Sequence, residues 1–180
     1  MKDVNVDFSP PAFGPHTAVN ASFRPPIGDD RYQQSMRVKT AVDLGLHVGQ
    51  GADWLTLNPT PNPFIALEGM VTRQNTFEFD PNLSGTVNAA DAVSIEQAIA
   101  ICTLEGAWVL GAENDLGSIE VGKFADMILL DQNLFDIEAE RISGSQVLQT
   151  ILGGRVVYDR SKQGIEDLEG LDDVPPRMIH

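Results

Sequence analysis

Two short strand-like segments near the N-terminus, separated by a helical segment, constrain the fold of this chain more than any other feature. Residues 4–8 alternate apolar and polar side chains, and a second strand covers residues 46–53. Between them, the sequence predicts a long loop rich in proline and glycine over residues 10–28, and then a helix over residues 29–44. A strand, a loop, a helix and another strand make a parallel β/α unit, which predicts an α/β fold.

Two helix starts are readable in the middle of the chain. Asn62 followed by Pro63 is a favourable start, because asparagine caps the helix and proline fits its first position. Ser94 and Gln97 form a capping box, and Gly111 ends the helix behind it. The sequence therefore predicts one helix after residue 62 and a second between residues 94 and 111.

After residue 116 the hydrophobic period changes to two, which predicts strands. The strand candidates are residues 125–130, 147–152 and 156–158. The pair Gly153-Gly154 predicts a tight hairpin, since a type I′ turn needs positive φ at both central positions. We divide the chain into a β/α part over residues 1–115, a small all-β part over residues 116–159 and an acidic, flexible tail over residues 160–180.

Charge and composition restrict the partners of the protein. The 180 residues include 12 basic and 26 acidic side chains, which gives a formal net charge of −14. Nucleic acids and anionic membranes would be repelled. No apolar run reaches the roughly 20 residues of a membrane span. The single cysteine, Cys102, excludes an internal disulfide and is predicted to be a buried, inert thiol. We therefore expect a cytoplasmic protein with no nucleic-acid and no membrane partner.

Asp53 is the strongest candidate for chemistry. It follows the carboxyl end of a predicted parallel strand, where barrels built from β/α units carry their active sites. Gly49 and Gly51 precede it and would let a ligand, a metal or a neighbouring strand approach the backbone closely. A second reading stays open, in which Asp53 only caps a loop.

Other side chains give weaker signals. Along an extended strand His47 lies about 20 Å from Asp53, so it cannot share a metal with Asp53 and is predicted to contact helices or the bottom of a barrel. The candidates for a substrate pocket are Trp54, Arg73 and His16. Packing in the core or on the surface explains Trp54 and Arg73 equally well. For His16, in the loop after the first strand, the favoured alternative is a plain surface histidine.

Three segments carry a resemblance to a known family. Residues 46–54 read Leu-His-Val-Gly-Gln-Gly-Ala-Asp-Trp, residues 117–131 begin Gly-Ser-Ile-Glu-Val-Gly-Lys-Phe-Ala-Asp, and residues 153–158 form the hairpin. They resemble the Gly-Ser-Asp-Trp strand, the Gly-Ser-x-x-x-Gly-Lys-x-Ala-Asp segment and the final hairpin of the amidohydrolase superfamily, in the branch called amidohydrolase family 3. Ala52 stands where serine is usual. The resemblance covers roughly residues 3–159.

This resemblance implies a TIM-type (β/α)8 barrel with a small β-sandwich built from both ends of the chain. Residues 4–8 resemble barrel strand seven, residues 46–53 resemble strand eight, and the part after residue 116 resembles the C-terminal share of the sandwich. The implied function is hydrolysis of non-peptide carbon–nitrogen bonds in a small amide-like substrate. Asp53 would then bind a divalent metal, with zinc as the first choice, and take a proton from the attacking water.

The resemblance implies further metal ligands, among them a His-x-His pair on the first barrel strand. The sequence contains no His-x-His pair and nothing that corresponds to the strands before strand seven. A complete barrel takes about 250 residues, so the chain looks like the C-terminal portion of such an enzyme. We expect no tightly bound metal and no activity from this chain alone, and a non-catalytic binding or assembly module is the alternative. Because unpaired strand edges invite pairing, we predict that the chain binds the missing N-terminal barrel portion or self-associates.

Overall fold

The computed structural model describes residues 4–9, 13–54, 60–76 and 83–162. Its first sheet confirms the predicted parallel unit, since strand β1 (Asn5–Phe8) pairs in parallel with strand β2 (His47–Gln50). In the register of this pair, Asp7 lies opposite Gly49. Because the two strands run in the same direction, their carboxyl ends lie at the same edge of the sheet.

The crossover between β1 and β2 is more helical than the sequence predicts. Its helices are α1 (Thr17–Ser22), α2 (Arg24–Ile27), α3 (Asp29–Tyr32) and α4 (Val38–Asp43). The loop predicted over residues 10–28 is therefore wrong where α1 and α2 lie. Pro25 and Pro26 belong to the first turn of α2, where a missing N–H breaks no helical hydrogen bond.

The single helix predicted over residues 29–44 is split into α3 and α4. Met36 lies between them with a left-handed φ of 52°, which interrupts the helical path. The interruption lets Tyr32 and Val38 enter two different apolar clusters. Packing against two separate neighbours has overridden the local preference for one continuous helix.

Helix α5 (Pro63–Thr72) begins and ends as its local sequence dictates. The Phe64 N–H donates to Asn62 Oδ1 at 3.0 Å, which confirms the predicted cap. At the other end Arg73 takes a left-handed φ of 59°, and its N–H donates to the carbonyl of Gly69 at 2.9 Å.

The next helix starts at the predicted capping box and then becomes irregular. Ser94 Oγ accepts the Gln97 N–H, and Gln97 Oε1 accepts the Ser94 N–H. The helix consists of α6 (Ile95–Ala100), a π-helical turn (Ile101–Glu105) and α7 (Gly106–Val109). Both predicted ends are confirmed, since Gly111 follows with a φ of 68°. The π-helical turn is a feature that the sequence pattern did not predict.

The C-terminal part forms the predicted antiparallel sheet. Its strands are β3 (Met127–Leu130), β4 (Val147–Leu152) and β5 (Arg155–Asp159), in the order β3–β4–β5. Gly153 and Gly154 have φ values of 57° and 80°, so the glycine pair forms the predicted tight turn. A 3₁₀ helix (Ala139–Gly144) lies between β3 and β4 and packs against α5.

One apolar cluster joins the two parts of the molecule. It contains Val48 of β2, Phe64 and Met70 of α5, and Ile142 of the 3₁₀ helix, all of them buried. Phe8 of β1 is partly buried against the same cluster. The even-numbered residues of the parallel pair therefore face this cluster. The odd-numbered side of β2 also meets a helix, because a Cβ at Gly49 would lie 3.4 Å from the Val109 side chain of α7.

The strands in the described ranges do not close a barrel. Within these ranges β1 and β2 pair only with each other, so the implied (β/α)8 barrel is represented here by two strands and their helices. No helix in the described part of the chain combines the length and the apolar character that crossing a membrane requires. Apart from residues 160–162, the predicted acidic tail lies outside the described residues.

Candidate functional site

Asp53 lies just beyond the carboxyl end of β2, as predicted. The last bond that ties this region to β1 runs from the Gly51 N–H to the carbonyl of Phe8, at 3.0 Å. Two residues later Asp53 takes a left-handed φ of 47°. Aspartate tolerates this conformation better than most residues, and such backbone outliers concentrate at functional sites.

The Asp53 carboxylate is half-buried and has no hydrogen-bond or ion-pair partner among the residues that the structure describes. A loop-capping aspartate accepts backbone N–H groups of the residues that follow it, and residues 55–59 lie outside the described part of the chain, so the loop-capping reading of Asp53 stays open beside the catalytic one. The free oxygens are hard ligands of the kind that divalent cations bind.

A second carboxylate, Asp7, lies on the same sheet and was missed by the sequence reasoning. Its side chain leans across β2, where the two glycines leave space. A Cβ atom at Gly49 would lie 3.4 Å from Asp7 Oδ1, and one at Gly51 would lie 2.9 Å from Asp7 Oδ2. Burial against these backbone atoms raises the pKa of Asp7. The signal that could have revealed it is the strand alternation, because Asp7 and both glycines occupy odd positions.

His47 lies at the opposite end of β2 and contacts the helix, which confirms that part of its prediction. Its Nδ1 is 2.7 Å from Glu105 Oε2, and its ring stacks on Trp108 with the centroids 3.5 Å apart. Its neighbours are therefore a carboxylate of the π-helical turn and an indole of α7. This arrangement gives His47 a packing role far from Asp53.

Arg73 is fully buried at the end of α5. Its Nε donates to the carbonyl of Val87 at 2.9 Å, and its guanidinium carbon lies 5.9 Å from the centre of the Phe13 ring. Burial lowers the pKa of Arg73 to about 10. The loop that follows β1 also presses on this region, because a Cβ at Gly14 would lie 2.0 Å from the carbonyl oxygen of Gln74. Arg73 thus packs against that loop through its contact with the Phe13 ring.

The two other pocket candidates differ in exposure. His16 is 4% exposed at the start of α1, whereas Trp54 is 53% exposed immediately after Asp53. Only Trp54 is therefore open to solvent beside the Asp53 carboxylate. Burial raises the pKa of Cys102 to about 12, and its Sγ lies 3.7 Å from Gln50 Oε1, so the thiol is the unreactive one that was predicted.

Asp53 does not line either of two clefts in the described part of the chain. One of about 380 Å³ lies between the start of α5 and the antiparallel sheet, where Asn62, Tyr158 and Arg160 line it. The other, of about 200 Å³, lies beside His47 and Glu105.

The fit of a metal to the residues present is partial. Asp53 offers an unpartnered carboxylate, yet the described ranges hold no group of three histidine, cysteine, aspartate or glutamate side chains that could bind one ion. Catalytic zinc sites use three protein ligands. Asp53 fits as one ligand of such a site, and the described residues do not complete it.

Comparison with known proteins gives a consistent set of relatives. A family model described as "Amidohydrolase family" matches residues 7–158. A 5-methylthioadenosine/S-adenosylhomocysteine deaminase from Teredinibacter turnerae is 34% identical over 114 residues, which are 62% of this chain and 23% of the relative. The putative amidohydrolase YtcJ from Bacillus subtilis is 24% identical over 135 residues, which are 75% of this chain and 25% of the relative. The chain thus spans about a quarter of the length of these relatives.

A solved structure supports the fold independently. The crystal structure of an adenosine deaminase from Xanthomonas campestris, determined with bound zinc, matches 95% of this chain and 35% of the deaminase chain, with a TM-score of 0.62. Its sequence identity is 18%, so this likeness concerns the fold alone.

Proposed function

Since the chain belongs to the amidohydrolase family, we propose that it is the C-terminal portion of a metal-dependent hydrolase of non-peptide carbon–nitrogen bonds. The observation that carries this proposal is the position of Asp53, held in a left-handed conformation just after β2 and without a partner among the described residues. The deaminase named above supports the reaction class, because deamination is hydrolysis of a carbon–nitrogen bond.

In this proposal Asp53 moves a proton. Its carboxylate accepts a proton from water as the water oxygen bonds to the electrophilic carbon, and it then gives that proton to the leaving nitrogen as the carbon–nitrogen bond breaks. A divalent metal, when bound, lowers the pKa of water toward neutrality and so supplies the nucleophile. Zinc is the proposed metal because the structurally similar adenosine deaminase was solved with it.

The proposed partners follow from the incomplete sheet. The outer edges of β1 and β2 have no strand partner among the described residues, and unpaired edges pair readily with another segment. We propose that strands of the N-terminal barrel portion take these places and bring the missing metal ligands, with self-association as the alternative. The proposed substrate is a small amide-like molecule. In this proposal Trp54, which is exposed and follows Asp53 directly, contacts that substrate.

Replacement of one carboxylate tests the proposal. In the full-length protein that carries this chain, Asp53→Asn removes the proton acceptor and should lower turnover by about 10²- to 10⁴-fold. Turnover is measured on a panel of amides, cyclic amides, N-acyl amino acids and adenine nucleosides. Asp30→Asn is the matched control, because Asp30 is exposed and its side chain makes no hydrogen bond or ion pair among the described residues. Near-normal turnover of Asp53→Asn would contradict the assigned role.

A second candidate function is a non-catalytic binding or assembly module. The lack of a three-ligand group in the described ranges favours it. Zinc analysis of the full-length protein separates the two, because the hydrolase should carry zinc at a fixed stoichiometry. Zinc-free full-length protein without activity on the panel would favour the module.

A further inference from the structure

We propose that the cleft beside His47 and Glu105 binds a small organic amine, a compact apolar group that carries one ammonium. The cleft lies at the amino end of β2, whereas Asp53 follows the carboxyl end of the same strand. The proposal goes beyond the hydrolase function and does not rest on it, because it uses neither Asp53 nor a metal.

The size and the walls of the cleft suit one compact apolar group. Its volume is about 200 Å³. An apolar cavity of about 150 Å³ is already large enough to hold a benzene ring. The walls come from α4, from the residues that lead into β2 and from the helix behind the capping box, and their apolar members are Val42, Leu46, Ala100 and Ile101. Ligand pockets typically combine such walls with a few polar groups.

The polar groups of the cleft are held in place by each other. His47 Nδ1 lies 2.7 Å from Glu105 Oε2, and the imidazole stacks on the Trp108 ring with the two planes 9° apart. The side chains of His47 and Glu105 are 27% and 30% exposed, so both remain accessible from the cleft. Two contacts therefore fix the imidazole before any ligand binds.

The pair leaves two acceptor atoms free. A carboxylate only accepts, so the Nδ1–H of His47 donates to Glu105, and in the neutral imidazole the other nitrogen, Nε2, is an acceptor. Neither His47 Nε2 nor Glu105 Oε1 has a hydrogen-bond partner among the described residues. Gln97 also lines the cleft, and its Oε1 already accepts the Ser94 N–H. A ligand that donates hydrogen bonds satisfies both free acceptors.

The charges around the cleft favour a cation. Among the described residues that line it, Glu105 is the only carboxylate, and there is no lysine or arginine. Asp43 of the neighbouring α4 is already paired with Lys39. Hydrogen bonds between an ammonium and a carboxylate are roughly twice as strong as those between neutral groups. An ammonium therefore fits better than a neutral donor, and a ligand carboxylate would meet Glu105 with like charge.

The π-helical turn supports a binding role independently. The turn, Ile101–Glu105, supplies Ile101 to the apolar wall and Glu105 to the polar end of the cleft. The segments on both of its sides, α6 and α7, are α-helical. Turns of this kind are rare and occur frequently at functional sites. The departure from regular helix is thus confined to the segment that presents the carboxylate.

The experiment uses benzylamine, an aromatic ring with one ammonium, as its probe. Binding to the full-length protein that carries this chain is measured by isothermal titration calorimetry in phosphate buffer, which contains no competing amine. Glu105→Gln keeps the shape and removes the charge, so the affinity should fall about tenfold. Glu138→Gln should leave it unchanged, because Glu138 is exposed, does not line the cleft and makes no side-chain hydrogen bond or ion pair among the described residues.

Two further arms keep the test independent of the polar pair. Ala100→Phe places a ring in the cleft and leaves His47 and Glu105 in place, so it should abolish binding. Benzoate has the same ring with the opposite charge, and wild-type protein should not bind it. The melting temperature of each variant without benzylamine shows whether it is folded, and if Glu105→Gln is not, Ala100→Phe and benzoate still decide.

Saturable benzylamine binding that is weakened by Glu105→Gln and abolished by Ala100→Phe would support the site. No binding by the wild type, wild-type affinity in either folded variant, or benzoate binding as tight as that of benzylamine would overturn it. Turnover is not measured, so none of these outcomes depends on the hydrolase function.

Discussion

The β/α part and the antiparallel sheet are built on different physical grounds. The β/α part contains almost the whole apolar core, whereas in the all-β part only Leu134, Ile142 and Ser145 of the described residues are buried. Ile128 and Leu129 of β3 are exposed on opposite faces of their strand. The sheet therefore owes its order to turns and backbone hydrogen bonds, and it has no substantial core of its own.

The 3₁₀ helix attaches the sheet to the rest of the molecule. Ile142 enters the common core with 1% exposure. Beside it, the Ser143 N–H donates to Glu68 Oε2 of α5 at 2.7 Å. Apolar packing and a hydrogen bond of this 3₁₀ helix thus help to connect two parts that differ in architecture. Variants at these positions test the contrast between the two parts.

The largest effect is expected from truncation of the apolar contact. Ile142→Ala should lower the free energy of unfolding by about 2–5 kcal/mol, because it leaves a cavity in the common core. The same change at Ile128, which is 48% exposed, should stay within about 0.5 kcal/mol. Urea denaturation of the two variants gives the comparison. Equal losses would mean that the sheet carries its own core after all.

A smaller effect is expected at the hairpin. Gly154→Ala should lower the free energy of unfolding by about 1–2 kcal/mol, because an L-residue is strained at the φ of 80° found there. The nearest atom to the new methyl group is 3.9 Å away, so the cost arises from the backbone and not from a clash. Gly144→Ala is the control, since Gly144 has no positive φ and open space around it. Similar melting temperatures for the two variants would contradict the claim that the glycine turn stabilises the antiparallel sheet.

The smallest effect is expected from the charge of Glu68, the acceptor of the hydrogen bond between α5 and the 3₁₀ helix. Burial raises the pKa of Glu68, and the nearby Glu140 raises it further, against the lowering by the bond from Ser143. The folded state therefore holds the Glu68 proton more tightly than the unfolded state. The resulting stability is fully present below the unfolded pKa and is lost as pH rises through the folded pKa.

Glu68→Gln removes this titration while keeping an acceptor for Ser143. The variant should lose a stability slope of at most about 1.4 kcal/mol per pH unit, in a window that extends upward from the unfolded pKa of Glu68. Urea denaturation of both proteins across that window measures the slope. An unchanged slope in the variant would show that Glu68 does not titrate differently on folding.

Several features followed from short stretches of sequence. The Asn62 cap, the Ser94 capping box and the glycine hairpin were all predicted, because each depends on the residues within one turn. The parallel pairing of β1 with β2 was also predicted, since a helical crossover leaves few alternatives. Asp53 was selected as the candidate residue from its position after a strand and from the motif around it.

Tertiary contacts decided the rest. Met36 interrupts a predicted helix because its flanking residues pack into two separate clusters, and no local pattern records that. Arg73 reads as a polar pocket residue in the sequence, but it is completely buried, with Phe13 of the loop after β1 and the Val87 carbonyl among its contacts. Asp7 was unremarkable as one polar residue in an alternating strand until the register set it opposite Gly49. The sequence determined the turns, caps and strand alternation because these act over a few residues. Burial and the pairing of two strands depend on residues about forty to sixty positions apart, such as Asp7 with Gly49 and Phe13 with Arg73.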